Sequence, residues 1–464
     1  MSAAPDASST PVGPAHVTPD PHYERNLGWL YAGRALRSCA TAFLAIVFPL
    51  YLAARGESST TVGVILTSSA AISALLVLAV GLIGDRLGRR LVLICLGLLG
   101  AAGGVVLAFY SNPVLLVVAS GLAGVGRGGG AGGGGAWGPF FPAEQPLLSA
   151  SVPPARRTSA FGRIGFVGVV SGALGSLIAL VPGHLRAAGW QVLRADQLLF
   201  LVAAGISLCV VFVTLPIREP RRATGGDRPA AAQAPASLTT RQLIRRLGLT
   251  NAINGFGFGF LGPVLVYWFH RRFGAGTGEI GLLFTIANLF AALPYLGASR
   301  LVDRLGSVRT VVFSRGASIV ALLLMAWLPT FDLVAAFFVL RSGINSLSIP
   351  ARQSYVMGAA DERRRGTVAA VGALPSQITS SASPAIAGAL MVIVLDAPIY
   401  LASFFMAVNA YAYWLSFRRV RERDVPNAAH VSAPSSSRDG SIRPADAADP
   451  SPVGHDPSPA ARTR

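Results

Sequence analysis

Gly81-Leu-Ile-Gly-Asp85-Arg86-Leu-Gly88-Arg89-Arg90 stands between two long apolar runs. A weaker copy, Ser299-Arg-Leu-Val-Asp303-Arg304-Leu-Gly306, stands between two more, 218 positions later. The offset extends beyond those letters. Gly56 maps onto Gly274 and Gly63 onto Gly281 with the same shift of 218, so a helix-loop-helix unit is duplicated in register. A repeat of this length sets the architecture before any single residue is weighed.

Composition names the solvent. Of 464 residues, 52% are hydrophobic and 13% charged, and mean hydropathy is +0.55. A soluble domain carries about 25% charge, so the deficit points to lipid. Apolar runs of about 20 residues read as spanning helices. They fall at 27–54, 60–83, 91–111, 113–137, 159–181 and 196–216, and again at 248–270, 279–300, 308–328, 332–356, 366–395 and 397–417. All 39 basic residues are arginine, and the formal net charge is +18. With the N-terminus inside, the inner loops hold eighteen arginines and the outer loops five (Arg55, Arg186, Arg194, Arg271 and Arg272). That positive-inside bias accounts for the charge without a nucleic-acid partner and sets both termini in the cytoplasm.

The expected organisation follows. Residues 1–25 form a disordered cytoplasmic tail without the apolar core of a cleavable signal. A six-helix bundle covers 26–216, a charged cytoplasmic linker 217–246, and a second bundle 247–420. Residues 421–464 are too polar to fold. Cys39, Cys95 and Cys209 all fall inside spans, so neither a disulfide framework nor a metal site is expected.

With six plus six spans and Gly81-x-x-x-Asp85-Arg86-x-Gly88-Arg89-Arg90 between the second and third, the chain resembles the major facilitator superfamily over roughly residues 26–420. Pro142-Ala-Glu144-Gln145 and Pro350-Ala-Arg352-Gln353, at corresponding ends of spans four and ten, support the match. The resemblance implies an all-α membrane protein of twelve transmembrane helices in two pseudo-symmetric six-helix bundles, the nested-repeat plan of this superfamily. It also implies a central cavity lined by spans one, four, seven and ten. The activity it implies is alternating-access movement of a small organic solute across the cell membrane. An exporter of drugs or metabolites is favoured, and an uptake carrier or a transport-inactive sensor is the alternative. No cofactor is implied; a coupling proton or other ion, the lipid bilayer and a monomeric state are.

Glycines keep the loop between spans two and three short and let helices approach closely. Asp85, at the cytoplasmic end of span two, can face the positive N-terminal end of a neighbouring helix. In the family that neighbour is span eleven, preceded here by Arg363, Arg364 and Arg365. The twofold counterpart sets Asp303 against span five, preceded by Arg156 and Arg157. Gly81, Asp85, Arg86, Gly88, Arg89 and Arg90, with Asp303, Arg304 and Gly306, are thus read as a cytoplasmic latch.

Arg34, Arg37, Arg127 and Arg341 fall inside apolar segments. Each costs at least about 2.5–3.5 kcal/mol at a helix centre, so they are expected to face the bundle interior. Snorkelling to the headgroups is the alternative for Arg34. Asn254, Asn345 and Gln377 add polar contacts. No acid falls in mid-span; Glu144, Glu279, Asp332 and Asp396 stand near expected helix ends. The expectation is an electropositive cavity suited to an anionic or neutral solute. Tyr267 and Trp268 read as an interfacial aromatic belt. In span five, Gly165, Gly168, Gly172 and Gly175 have the spacing of close helix packing, without the proline that drug antiporters of the family carry there. Gly124-Val-Gly126-Arg-Gly128-Gly129 matches a dinucleotide fingerprint only in letters, since no strand precedes it. The absence of lysine excludes a Walker motif, and the scattered histidines argue against an enzyme.

Overall fold

The computed structural model describes residues 21–125, 138–152, 157–219, 240–305, 307–359 and 365–417; among these there are helices and turns but no strand. Lipid offers no hydrogen bonds, and a helix satisfies its backbone internally, so apolar runs of this length become helices. The first half comprises α1 (Pro21–Ala54), α2 (Ser59–Leu87), α3 (Arg89–Phe109), α4 (Pro113–Leu122), α5 (Phe141–Ala150), α6 (Arg157–Ile178), α7 (Val181–Ala187) and α8 (Val192–Thr214). The second comprises α9 (Thr240–Gly259), α10 (Gly262–Phe273), α11 (Thr277–Leu305), α12 (Ser307–Trp327), α13 (Phe331–Ala359), α14 (Arg365–Leu390) and α15 (Ala397–Phe417). Seven spans are long and apolar enough within the described residues to cross a bilayer: those on α1, α2, α3, α6–α7, α8, α9–α10 and α11. Leu82, Phe212, Phe313 and Trp327 lie on an apolar outer surface suited to lipid.

Two expected spans are broken. The fourth, expected over 113–137, stops as a helix at Leu122, where Gly124 takes φ +76°. Residues 126–137, with Arg127 and most of the glycine run, lie outside the described residues. The chain is helical again in α5. The seventh, expected over 248–270, divides at Phe260-Leu261. Pro263 opens α10 there, a position where its missing N–H breaks no bond.

The repeat is visible in how helices pair. In the first half α1 packs on α6 and α8, α3 on α4 and α8, and α2 on α4. In the second, α9 packs on α14 and α15, α12 on α13 and α15, and α11 on α13. Each pairing of the first half has its counterpart in the second. The halves meet through α2 on α14 and, equivalently, α11 on α6, with α1 against α10 between them.

The repeated glycines have physical roles. Gly56 and Gly274, at φ +80° and +69°, reverse the chain after α1 in the first half and after α10 in the second, a conformation that penalises a Cβ. Gly63 and Gly281 are the crossing points between halves. A Cβ on Gly63 would lie 2.5 Å from the Pro384 carbonyl oxygen and 3.0 Å from Gly388 Cα. One on Gly281 would lie 2.8 Å from the Ser176 carbonyl oxygen. Around these crossings the Ala385 N–H donates to Thr67 Oγ1 at 2.7 Å, and Thr285 Oγ1 donates to the Ala173 carbonyl at 3.2 Å. The Ser59 and Tyr267 hydroxyls are 3.3 Å apart. The halves are therefore closed at the end carrying the 54–59 and 273–277 turns. Gly175, from the span-five series, packs on the backbone of Cys39 within the first half.

Candidate functional site

Arg34 and Arg37 are three residues apart on α1 and so share a helix face. Glu144 lies in the first turn of α5. Glu144 Oε2 accepts from Arg37 Nη2 at 2.5 Å and from Arg34 Nη1 at 3.4 Å. The Glu144 side chain is 0% exposed, against 4% for Arg34 and 12% for Arg37. The Arg37 guanidinium also covers the Phe140 ring, 4.4 Å from its centroid, an attractive cation–π arrangement. Neither arginine snorkels.

This corrects the expectation of an acid-free cavity. Read from the sequence, span four ends at 137 and leaves Glu144 beyond it. The helix restarts at Phe141 and carries Glu144 inward beside Ala143 and Leu147, which belong to a buried apolar cluster. Two guanidinium groups and one carboxylate leave a charge of +2 − 1 = +1. Among the described residues, Glu144 Oε1 accepts no hydrogen bond and Arg34 Nε donates none.

In the second half, Arg341 and Asn345 on α13, Asn254 on α9 and Gln377 on α14 are all buried. Arg341 is 6% exposed, yet among the described residues its Nε has no acceptor and no carboxylate lies in ion-pair range. Asn254 Oδ1 likewise accepts nothing there. Sequence reasoning passed over Arg315, 3% exposed on α12, whose guanidinium lies 5.2 Å from the Phe258 ring centroid. Its signal was available: an arginine inside the 308–328 segment.

Two further ion pairs were not foreseen. Asp196, 0% exposed, accepts from Arg186 Nη2 at 2.5 Å. Asp396 accepts from Arg272 Nη1 at 2.5 Å and from Trp268 Nε1 at 2.8 Å. Trp268 is 0% and Tyr267 3% exposed, so they are core residues and not an interfacial belt. Asp396→Ala is expected to lower thermal stability by on the order of 2 kcal/mol, because two donors lose their acceptor together. A melting curve unchanged from the parent would show the knot to be dispensable.

At the other end of the bundle, Asp85 and Arg86 lie in the last turn of α2 and Asp303 and Arg304 in the last turn of α11. The contacts of these side chains, like those of Arg157 and Arg365, lie outside the described residues, as do Arg156, Gly306, Arg363 and Arg364 altogether. Gly88 joins α2 to α3 at φ +93°. An acid that the sequence reading did not assign, Glu219, caps α3 there: its Oε1 accepts from the Arg90 N–H at 2.8 Å. Asn26 brackets the neighbouring Arg218, donating to its carbonyl at 2.8 Å and accepting from its N–H at 3.0 Å. The starts of α1 and α3 are thereby tied to the segment that follows α8.

The family model of the Major Facilitator Superfamily matches residues 30–250 and 247–447. Among named relatives, the chain is 25% identical over 348 residues to the Multidrug resistance protein MdtG of Proteus mirabilis (strain HI4320), covering 72% of this chain and 81% of that protein. It is 24% identical over 432 residues to MdtG of Rahnella sp. (strain Y9602), covering 88% and 98%. Among solved structures, a bacterial homologue of the human lysosomal transporter Spinster, inward-facing and unoccupied, superposes with a TM-score of 0.63 at 16% identity, covering 86% and 98%. The human organic anion transporter MFSD10 superposes with a TM-score of 0.57 at 18% identity, covering 85% and 100%. At such identities the superpositions establish the fold alone.

Proposed function

The chain belongs to the major facilitator superfamily, a family of multi-pass membrane transporters and not enzymes, and from that premise we propose that it exports a small organic solute bearing an anionic or strongly polarised group. Arg341 carries this reading: a buried guanidinium with neither a carboxylate nor an acceptor at Nε among the described residues is costly unless something else completes it. A solute carboxylate, sulfonate or carbonyl would do so. Asn254, whose Oδ1 accepts nothing there, is available to donors on the same solute. Arg37 contributes less than a bare arginine would, since Glu144 already holds it. The multidrug-resistance names of the relatives support export.

The chain crosses the cell membrane twelve times as a monomer, with both termini in the cytoplasm. In that orientation the closed end around Gly63 and Gly281 is the outer one, and the molecule faces inward. Asp85 and Asp303 then serve the opposite, cytoplasmic closure, with Arg363–Arg365 and Arg156–Arg157 as counter-charges. Asp85→Asn is expected to slow transport several-fold at unchanged expression, since a carboxylate at a helix N-terminus and its ion pairs contribute about 1–2 kcal/mol. Normal transport by that variant would remove the latch from the mechanism.

The test of the solute class is a thermal-shift screen of purified protein against organic anions, neutral solutes and organic cations. Stabilisation by members of the first two groups is expected. Stabilisation by cations alone would overturn the reading.

A further inference from the structure

We propose that Arg55 and Asp196 join as an ion pair when the outer end of the molecule opens, and that this pair steadies the outward-facing arrangement. The proposal rests on the carrier reading above and adds a contact that belongs to its second access state.

Each half carries an arginine at the outer end of its first span. Arg55 and Arg272 are 217 positions apart, and so are Ser111 and Leu328, which lie between α3 and α4 and between α12 and α13. Arg55 Nη2 donates to the Ser111 carbonyl at 3.1 Å, and Arg272 Nη2 to the Leu328 carbonyl at 3.2 Å. Each guanidinium also lies against an aromatic ring one turn earlier, 5.7 Å from the Tyr51 centroid and 5.3 Å from that of Trp268. The same clamp is built twice.

The two clamps differ in their acid. Arg272 Nη1 donates to Asp396, immediately before α15, at 2.5 Å. Asp196, near the start of α8, is the corresponding acid of the first half, with α7 intervening there alone among the described residues. It accepts from Arg186 Nη2 on Oδ1 at 2.5 Å, while its buried Oδ2 has no donor among those residues. Arg55 has no ion pair there, and its buried Nε has no acceptor. Each unpaired buried group costs free energy.

The two unpaired groups are complementary and share a location. Tyr51 and Phe200, both 0% exposed, meet edge to face at 5.2 Å. Arg55 stands one turn outward of Tyr51 and Asp196 one turn outward of Phe200, on antiparallel helices. Both therefore sit above the same aromatic contact.

The closed outer end keeps them apart. There α1 packs on α10, and the Ser59 and Tyr267 hydroxyls are 3.3 Å from each other. Opening withdraws the end of α1 from the second half toward α8, on which it already packs. Arg55 then donates Nε–H to Asp196 Oδ2 while Arg186 stays on Oδ1, since a carboxylate accepts at both oxygens. A charge-assisted bond is stronger than a neutral one, so it offsets the contacts between halves that opening breaks. In the second half the equivalent bond is already made, which leaves α1 as the moving member.

The test exploits a chain without lysine. Arg55→Lys keeps the charge and supplies the chain's one side-chain amine. A carbodiimide activates a carboxyl and leaves as its urea when a touching amine forms the amide. Full-length Arg55→Lys is treated with dicyclohexylcarbodiimide, with and without Gly63→Leu, which forces the outer end open. Peptide mass spectrometry then measures the link between position 55 and Asp196. Arg186→Lys is the reference and should link position 186 to Asp196 in both backgrounds. A link from position 55 several-fold more abundant with Gly63→Leu is expected. Equal yields in the two backgrounds, or no link from 55 where 186 links, overturns the proposal. Should Gly63→Leu fail to fold, labelling of a thiol introduced at Ser59 decides the matter. Arg55→Gln and Asp196→Asn should each slow it several-fold, and both together no more than either; an unchanged rate in Arg55→Gln overturns the proposal. Solute exchange in vesicles is measured separately: its absence would sink the carrier reading and leave a state-dependent link standing.

Discussion

Gly63→Leu is expected to lower net transport severely while the protein still inserts and folds. The nearest atoms to the new side chain are backbone, the Pro384 carbonyl oxygen at 2.5 Å and Gly388 Cα at 3.0 Å from Cβ alone. No rotamer change in a neighbour relieves such a clash, and overpacking of this kind costs about 1–3 kcal/mol. Because α2 and α14 belong to different halves, the penalty falls on the closed arrangement of this end and spares the bundles themselves. It corresponds to about a 5- to 150-fold shift of the equilibrium between the two access states. Gly281→Leu is expected to act alike through the Ser176 carbonyl. Gly205→Leu, on α8 where nothing lies within 4 Å of the Cβ position, is expected to be silent. A thiol introduced at Ser59 measures the opening: it should label faster in the Gly63 and Gly281 variants only.

Arg341→Ala is expected to weaken solute binding by one to two orders of magnitude with little loss of stability. A charge-assisted hydrogen bond to a buried guanidinium contributes about 1.5–3 kcal/mol, which sets the size of the effect. Stability should hold, because no ion pair is lost among the described residues and an uncompensated buried charge is removed. The two readouts separate the alternatives. Unchanged affinity with a lowered melting temperature would make Arg341 a bridge between helices and leave the solute site elsewhere.

Much of the architecture was legible because its cause is local. Lipid forces apolar runs into helices, and the shift of 218 residues exposes the repeat; Gly56 and Gly274 mark the same turn in both halves because both need a positive φ. The roles of Gly63 and Gly281 were legible only as letters in register. Their partners, Pro384 and Gly388 or Ser176, lie in another half of the chain, and nothing local points to them. Arg34, Arg37 and Arg341 were found because charge inside an apolar segment must be buried or functional. Glu144 was misplaced because the expected fourth span closes at 137, whereas helix α5 begins at Phe141 and carries the carboxylate inward. Trp268 was misread for a related reason. An aromatic near a helix end looks interfacial until its partner, Asp396, is brought from 128 residues away.

The central claim, that the two halves carry a solute across the membrane by alternating about their glycine crossings, is tested most directly by solute counterflow. Purified protein is reconstituted in vesicles preloaded with the solute that most stabilises it, and entry of the labelled solute is followed. The account predicts saturable transient accumulation in the parent, strongly reduced accumulation in Gly63→Leu, and normal counterflow in Gly205→Leu. Tight binding of the solute with no counterflow in the parent would contradict it and identify a carrier-like protein that senses its ligand without moving it.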